Sequence, residues 1–220
     1  MLILALILLS NNACNKELEF RACNDLLRPC IGNLNGEYCL FGYKWGEMAQ
    51  FEPNGLDVDG PQIQSGKITY SFQTKTQRIS IHNRQEVKTK DFDSKGDCAR
   101  ENVIDAFAEY EKYADVSFEQ EEDDTSSDIR LYVIKDNGSS VGNVNFQDEL
   151  CAEIAGIIVF TKEKIDDCEE FHQLALHEIG HALGLGHVTS RNVMNSSVFG
   201  QLDGLQKGDI DGVIAIYGEK

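Results

Sequence analysis

A chain of 220 residues, 41% of them apolar, has room for one domain of moderate size with a packed core and a short extension. Its 20 Lys and Arg stand against 37 Asp and Glu, a net charge of −17. That balance argues against nucleic acid and anionic membrane surfaces as partners, because both repel an acidic protein.

The chain opens on eight apolar residues, 2–9, followed by Ser10, Asn11, Asn12, Ala13 and Cys14. The run is too short to span a bilayer and reads as the core of an export signal over residues 1–13, without the usual basic start. An apolar run ending in Ala-Cys has the look of a bacterial lipoprotein signal with Cys14 as the lipidated residue; simple secretion and an uncleaved anchor are the other readings. All three place the protein outside the cytoplasm, extracellular, and at a membrane only through such an anchor. Seven cysteines become six once Cys14 carries lipid, and an even set in an exported protein points to disulfides. Cys23, Cys30 and Cys39 precede residue 62, whereas Cys98, Cys151 and Cys168 follow it. Three and three cannot all pair within their own regions. Either one bridge joins the two regions, or each keeps a free thiol.

Residues 14–61 hold, besides Cys14, three cysteines, all three prolines, and the single tryptophan, Trp45. This is the composition of a small loop-rich segment ahead of a main domain over residues 62–220. Alternation through Ile68, Tyr70 and Phe72 predicts a first strand over 67–73. Asp97 is the expected N-cap of a helix reaching Ala114, with Val103, Ile104, Phe107, Ala108 and Tyr110 on its buried face. Strands are expected at 116–118 and 129–134. The acidic run 119–125 between them reads as a solvated loop with enough oxygen to be a calcium candidate, though it lacks an EF-hand pattern. Asp136-Asn137-Gly138 signals a hairpin turn, so that a strand over 141–146 returns as an edge strand, with an apolar strand over 157–160 beside it. Asp166 and Asp167 favour the N-terminal end of the helix that follows.

That helix carries the chemistry. His177 and His181 lie four apart in an apolar segment and so share one face, where both imidazoles reach a single metal ion. Glu178 points off that axis and is placed to hold a water. Gly184 suits the left-handed residue that ends a helix, and beyond it His187 arrives as a third ligand. Three histidines with an open fourth position describe a catalytic zinc centre; structural zinc sites are closed by four protein ligands. Chance placement of these residues is on the order of 1 in 10⁵ or less, which sets aside a helix that merely contains histidines. His172 lies off the ligand face, and His82 has no partner signal.

His177-Glu178-x-Gly180-His181-x-Leu183-Gly184-Leu185-x-His187, with Met194 seven residues on, resembles the matrixin branch of the metzincin zinc endopeptidases. Residues 207–218 resemble the last helix of those domains, and the similarity spans about 62–220. It implies an α+β fold with a twisted mixed sheet, a backing helix, an active-site helix and a C-terminal helix, and a Met-turn at Met194. It implies further that the edge strand, Val141 to Val144 with Gly142 and Asn143, binds extended peptide by main-chain pairing. Ser196 and Val198 would then lie in the wall of the pocket after the scissile bond. In many matrixins a pro-segment cysteine ligates the zinc. Here Arg28-Pro29-Cys30 has similar residues in another order, so Cys30, Asp57 or Asp59 is the candidate latency ligand, against a reading of 14–61 as a disulfide-stabilised spacer. One departure stands out: residues 126–171 contain no histidine for the family's second, structural zinc. Cys151 and Cys168 are therefore candidates for a disulfide in its place.

The expected activity is zinc-dependent cleavage of peptide bonds in extracellular proteins by a monomer, with Glu178 as general base and then acid. A silent zinc- and peptide-binding surface lipoprotein is the alternative, and a zinc hydrolase of non-protein substrates a more distant one.

Overall fold

The computed structural model describes residues 36–41, 43, 45, 67–81, 85–135, 141–146, 154–161, 168–195, 197 and 202–220. The expected export signal, Cys14, Cys30, Asp57, Asp59, His82, the turn at 136–138, Asp166 and Asp167, Ser196 and Val198 lie outside them.

Among the described residues, seven strands and three α-helices follow one another: β1 (Lys67–Phe72), β2 (Arg78–Ile81), β3 (Gln85–Lys90), α1 (Ala99–Tyr110), β4 (Ser117–Gln120), β5 (Ile129–Ile134), β6 (Val141–Phe146), β7 (Ile154–Thr161), α2 (Cys168–Leu183) and α3 (Lys207–Tyr217). β1 runs parallel to β4 and β5, and β5 parallel to β7. β6 lies antiparallel on the far edge of β7, and the β2–β3 hairpin joins β5 at Thr89 and Lys90. This mixed sheet backed by helices is the expected α+β architecture.

The middle strands are apolar on both faces, as strands buried from two sides must be. From β5 and β7, Leu131, Val133, Ile158 and Phe160 enter the main core under the helices. Tyr132, Ile134 and Val159 enter a smaller cluster on the other face with Val87. The main core also takes Leu40, Tyr43 and Trp45, so part of the N-terminal segment packs within it. Leu40 makes an antiparallel bridge to Leu185.

Several expectations are corrected. The helix α1 is capped by Cys98, not Asp97, and ends at Tyr110, well before Ala114. Its buried stripe is Ala99, Val103, Ala106, Phe107 and Tyr110, while Ile104 is 39% exposed and Ala108 faces solvent. Residues 104 and 108 lie about 100° round the helix from that stripe, and apolar character alone does not bury them. Cys168 pairs with Cys98, not Cys151, because α1 and α2 pack side by side and bring their first turns within disulfide reach. Cys39 is also disulfide-bonded. β5 and β6 do not form a hairpin, since β7 lies between them. The turn signal is local and carries no information about which strand takes the second edge of β5. Glu119 and Gln120, read as loop, belong to β4. Of the remaining acids, Asp123 pairs with Arg100, and Asp124 accepts from Thr74 N–H at 2.8 Å and Lys75 N–H at 3.1 Å.

Candidate metal centre

α2 starts exposed and is buried on every side from Ala175 onward, where Ala175, Leu176, Ile179, Ala182 and Leu183 pack into the core. That packing carries His177 and His181 into the interior at 3% and 8% exposure, one turn apart, with ring centroids 4.6 Å from each other. The helix stops in a Schellman motif: Leu185 N–H donates to Gly180 O at 2.8 Å and Gly184 N–H to His181 O at 3.1 Å. Gly184 sits at φ +110°, and a Cβ there would lie 2.7 Å from Tyr43 O, so conformation and space both demand glycine. The chain then doubles back and presents His187, which is exposed.

The three rings converge. His187 Nε2 lies 3.2 Å from His177 Nε2 and 3.1 Å from His181 Nε2. The edge of a tetrahedron around an ion at zinc–nitrogen distance is roughly 3.3 Å, so the spacing suits zinc. Tautomers agree with this. His177 Nδ1–H donates to Val193 O at 2.7 Å and His181 Nδ1–H to Leu185 O at 2.8 Å, which leaves each Nε2 with its lone pair pointing inward. Lone pairs facing one another at this distance repel unless a cation lies between them. Burial, together with the neighbouring histidines, holds His177 down at about 4 and His181 at about 3, so both are neutral ligands over the whole physiological range. Among the described residues, these three form the group of His, Cys, Asp or Glu side chains placed to share a metal ion.

Glu178 is 4% exposed and faces β6, where the Gly142 N–H hydrogen-bonds its carboxylate. Burial pushes its carboxyl up to about 8, and the Gly142 hydrogen bond draws it partly back. A cation held by the histidines would lower it further. Gly142 approaches so closely that any Cβ would collide with the Glu178 carbonyl. β6 itself is paired only with β7 among the described residues, in a register that sets Gly142 opposite Ile158, Asn143 opposite Ile157 and Val144 opposite Gly156. Its outer edge faces away from the sheet.

Met194 lies buried under the helix, where a Cβ on Gly180 would come 2.5 Å from its Sδ. Sequence reasoning overlooked what holds this turn. Asp209, at the start of α3, accepts from Val193 N–H at 2.8 Å, Met194 N–H at 3.1 Å and Gln206 N–H at 2.9 Å. It is buried, and desolvation raises its carboxyl despite those three donors. The visible signal was Gln206 and Asp209 at capping-box spacing. His172, placed off the ligand face, instead ties α2 to α1 through Glu109 at 3.2 Å and Asn102 O at 3.3 Å.

Compared with known protein families, residues 62–218, more than two thirds of the chain, match the peptidase family described as Matrixin. A search of curated proteins returns no match.

Proposed function

We propose that this chain, which belongs to the matrixin family of peptidases, is a zinc-dependent endopeptidase that cuts extended segments of extracellular proteins. The observation that carries this reading is the convergence of three imidazole nitrogens beside a buried carboxylate and a strand whose outer edge no other described strand pairs.

His177, His181 and His187 would hold the ion through Nε2, the Nδ1 of His177 and of His181 being turned to backbone carbonyls. Bound zinc supplies Lewis acidity, acidifying water to a pKa of about 7 and polarising a carbonyl. An extended peptide laid along the outer edge of β6, which no other described strand pairs, would align its scissile bond across the histidines. Glu178, next to His177 and anchored by Gly142 N–H, takes a proton from the attacking water and returns it to the leaving amine. Burial favours both proton transfers, since a carboxyl with a raised affinity for protons is a stronger base and can deliver the proton again near neutral pH. No serine or cysteine nucleophile is required.

In this reading residues 1–13 direct export, and the catalytic domain begins near residue 62. No described helix is long and apolar enough to cross a membrane. Cleavage of a quenched fluorescent peptide library tests the proposal. Turnover should vanish with a zinc chelator and return with added zinc. It should fall about 10²- to 10⁴-fold in Glu178→Ala while zinc stoichiometry stays at one. Stoichiometric zinc without turnover in the unaltered chain would replace the enzyme by a zinc- and peptide-binding protein.

A further inference from the structure

The C-terminal end of α2 is covered by the N-terminal segment, far away in sequence. A helix leaves its last four carbonyls without intrahelical partners, and here each finds a donor. Gly180 O and His181 O accept within the Schellman motif. His181 O also accepts from the Tyr43 hydroxyl, Ala182 O from Trp45 Nε1–H at 2.7 Å, and Leu183 O from the Tyr217 hydroxyl at 2.9 Å. One residue further, Gly184 O accepts from Phe41 N–H at 2.8 Å, and Gly186 N–H donates to Cys39 O at 2.7 Å. Residues 39–41 and 184–186 thus form a short two-stranded pairing around the Leu40–Leu185 bridge. Phe41 also lies against the His181 ring, with centroids 5.7 Å apart.

We propose that Cys39, Leu40, Phe41, Tyr43 and Trp45 form a permanent strap of the metal centre, and that Tyr43 and Trp45 are positioning residues for His181 and His187. The argument is one of connectivity. His181 sits on the backbone whose carbonyl Tyr43 holds, and Gly186, which leads directly into His187, is hydrogen-bonded to the strap. Two of the three histidines therefore take their place from a segment outside the region that matches the family. A strap so bound stays with the protein through any processing of the segment around it. Loss of its contacts loosens the ligands before it loosens the sheet, with whose strands none of its described residues pairs.

This rests on the reading of the three histidines as a zinc site, and the test separates the two. The full chain is compared with Tyr43→Phe, Trp45→Phe and the double variant by zinc affinity against a chromophoric chelator and by the absorption spectrum of the cobalt-substituted protein. Phe118→Leu, which alters packing against Phe107 on the far side of α1, is the control for general destabilisation. The double variant should bind zinc about 10- to 100-fold more weakly, the range seen when groups that orient metal ligands are removed. Its cobalt bands should shift, while the control keeps both properties. Unchanged affinity and spectrum in the double variant, or an equal loss in the control, overturns the strap. Should the double variant fail to fold, Tyr43→Phe, which removes one oxygen, is judged by the same criteria. If the unaltered chain takes up no more zinc than His181→Ala, the metal-site reading fails first and the strap falls with it.

Discussion

Gly180 is worth more to this protein than its helix propensity suggests. Alanine in a helix interior is favoured over glycine by about 1 kcal/mol, yet a Cβ at 180 would sit 2.5 Å from Met194 Sδ and 2.7 Å from Tyr110 Oη. Overpacking of a buried contact costs about 1–3 kcal/mol, so packing should win. Gly180→Ala is expected to lower the urea midpoint and to weaken zinc binding with it, since Met194 belongs to the loop that Asp209 holds and whose Val193 O orients His177. His172 offers a test by pH. The Glu109 hydrogen bond raises its pKa above 6.5. Burial works against Glu109, but hydrogen bonds from His172 and Leu205 N–H hold it below 4.5. The histidine's contribution is complete below pH 6.5 and fades as pH rises through its folded value. The carboxylate's is complete above 4.5 and fades as pH falls through its own. The stability difference between the native chain and His172→Gln should therefore be greatest between about pH 4.5 and 6.5, roughly 1 kcal/mol, and shrink on either side. A difference that stays flat from pH 4 to 8 in thermal melts would show that the pair is not charged.

At the scale of elements, α1 and α2 behave as one unit. Their first turns are joined by the Cys98–Cys168 disulfide. Asn102 Nδ2–H adds a bond to Cys168 O at 2.9 Å, His172 binds Glu109 further along, and the Tyr110 hydroxyl at the end of α1 donates to Leu176 O in the middle of α2 at 2.9 Å. The disulfide closes a loop across a separation of 70 residues, so its loss releases substantial chain entropy in the unfolded state. Replacing both cysteines by serine should remove roughly 2–4 kcal/mol of stability, read from the denaturant midpoint. An unchanged midpoint would mean that side-chain contacts alone fix the helix pair. The helix pair was legible in the sequence as two apolar stripes. Its disulfide was not, because cysteine spacing says nothing about which two first turns come to lie together. Cys168 was instead expected to pair with Cys151, its nearer neighbour in the chain.

For the molecule as a whole, zinc should act as a cross-link between α2 and the returning loop. A ligand at about 1,000 times its dissociation constant stabilises the folded state by about 4 kcal/mol, which in a protein of this size raises the melting temperature by roughly 10 °C. The unaltered chain should show this rise on adding zinc and lose it with a chelator. His187→Ala should lose most of it, although His187 is exposed and its removal costs little packing. A zinc-independent melting temperature in the unaltered chain would contradict the triad as a metal site. The sequence alone determined that three histidines gather beside a carboxylate, because helical periodicity and a glycine stop are local rules: His177, Glu178, His181, Gly184 and His187 are close along the chain, and geometry follows from spacing. It also determined the strands of the core, where apolar residues on both faces report burial. Tertiary structure alone decided the rest: the partner of Cys168, the order of β5, β7 and β6, Asp209 beneath the Met194 turn, and the strap on the end of α2. Each of these joins residues far apart in the chain through hydrogen bonds or a covalent bond, and such pairings leave no periodic trace in a single sequence.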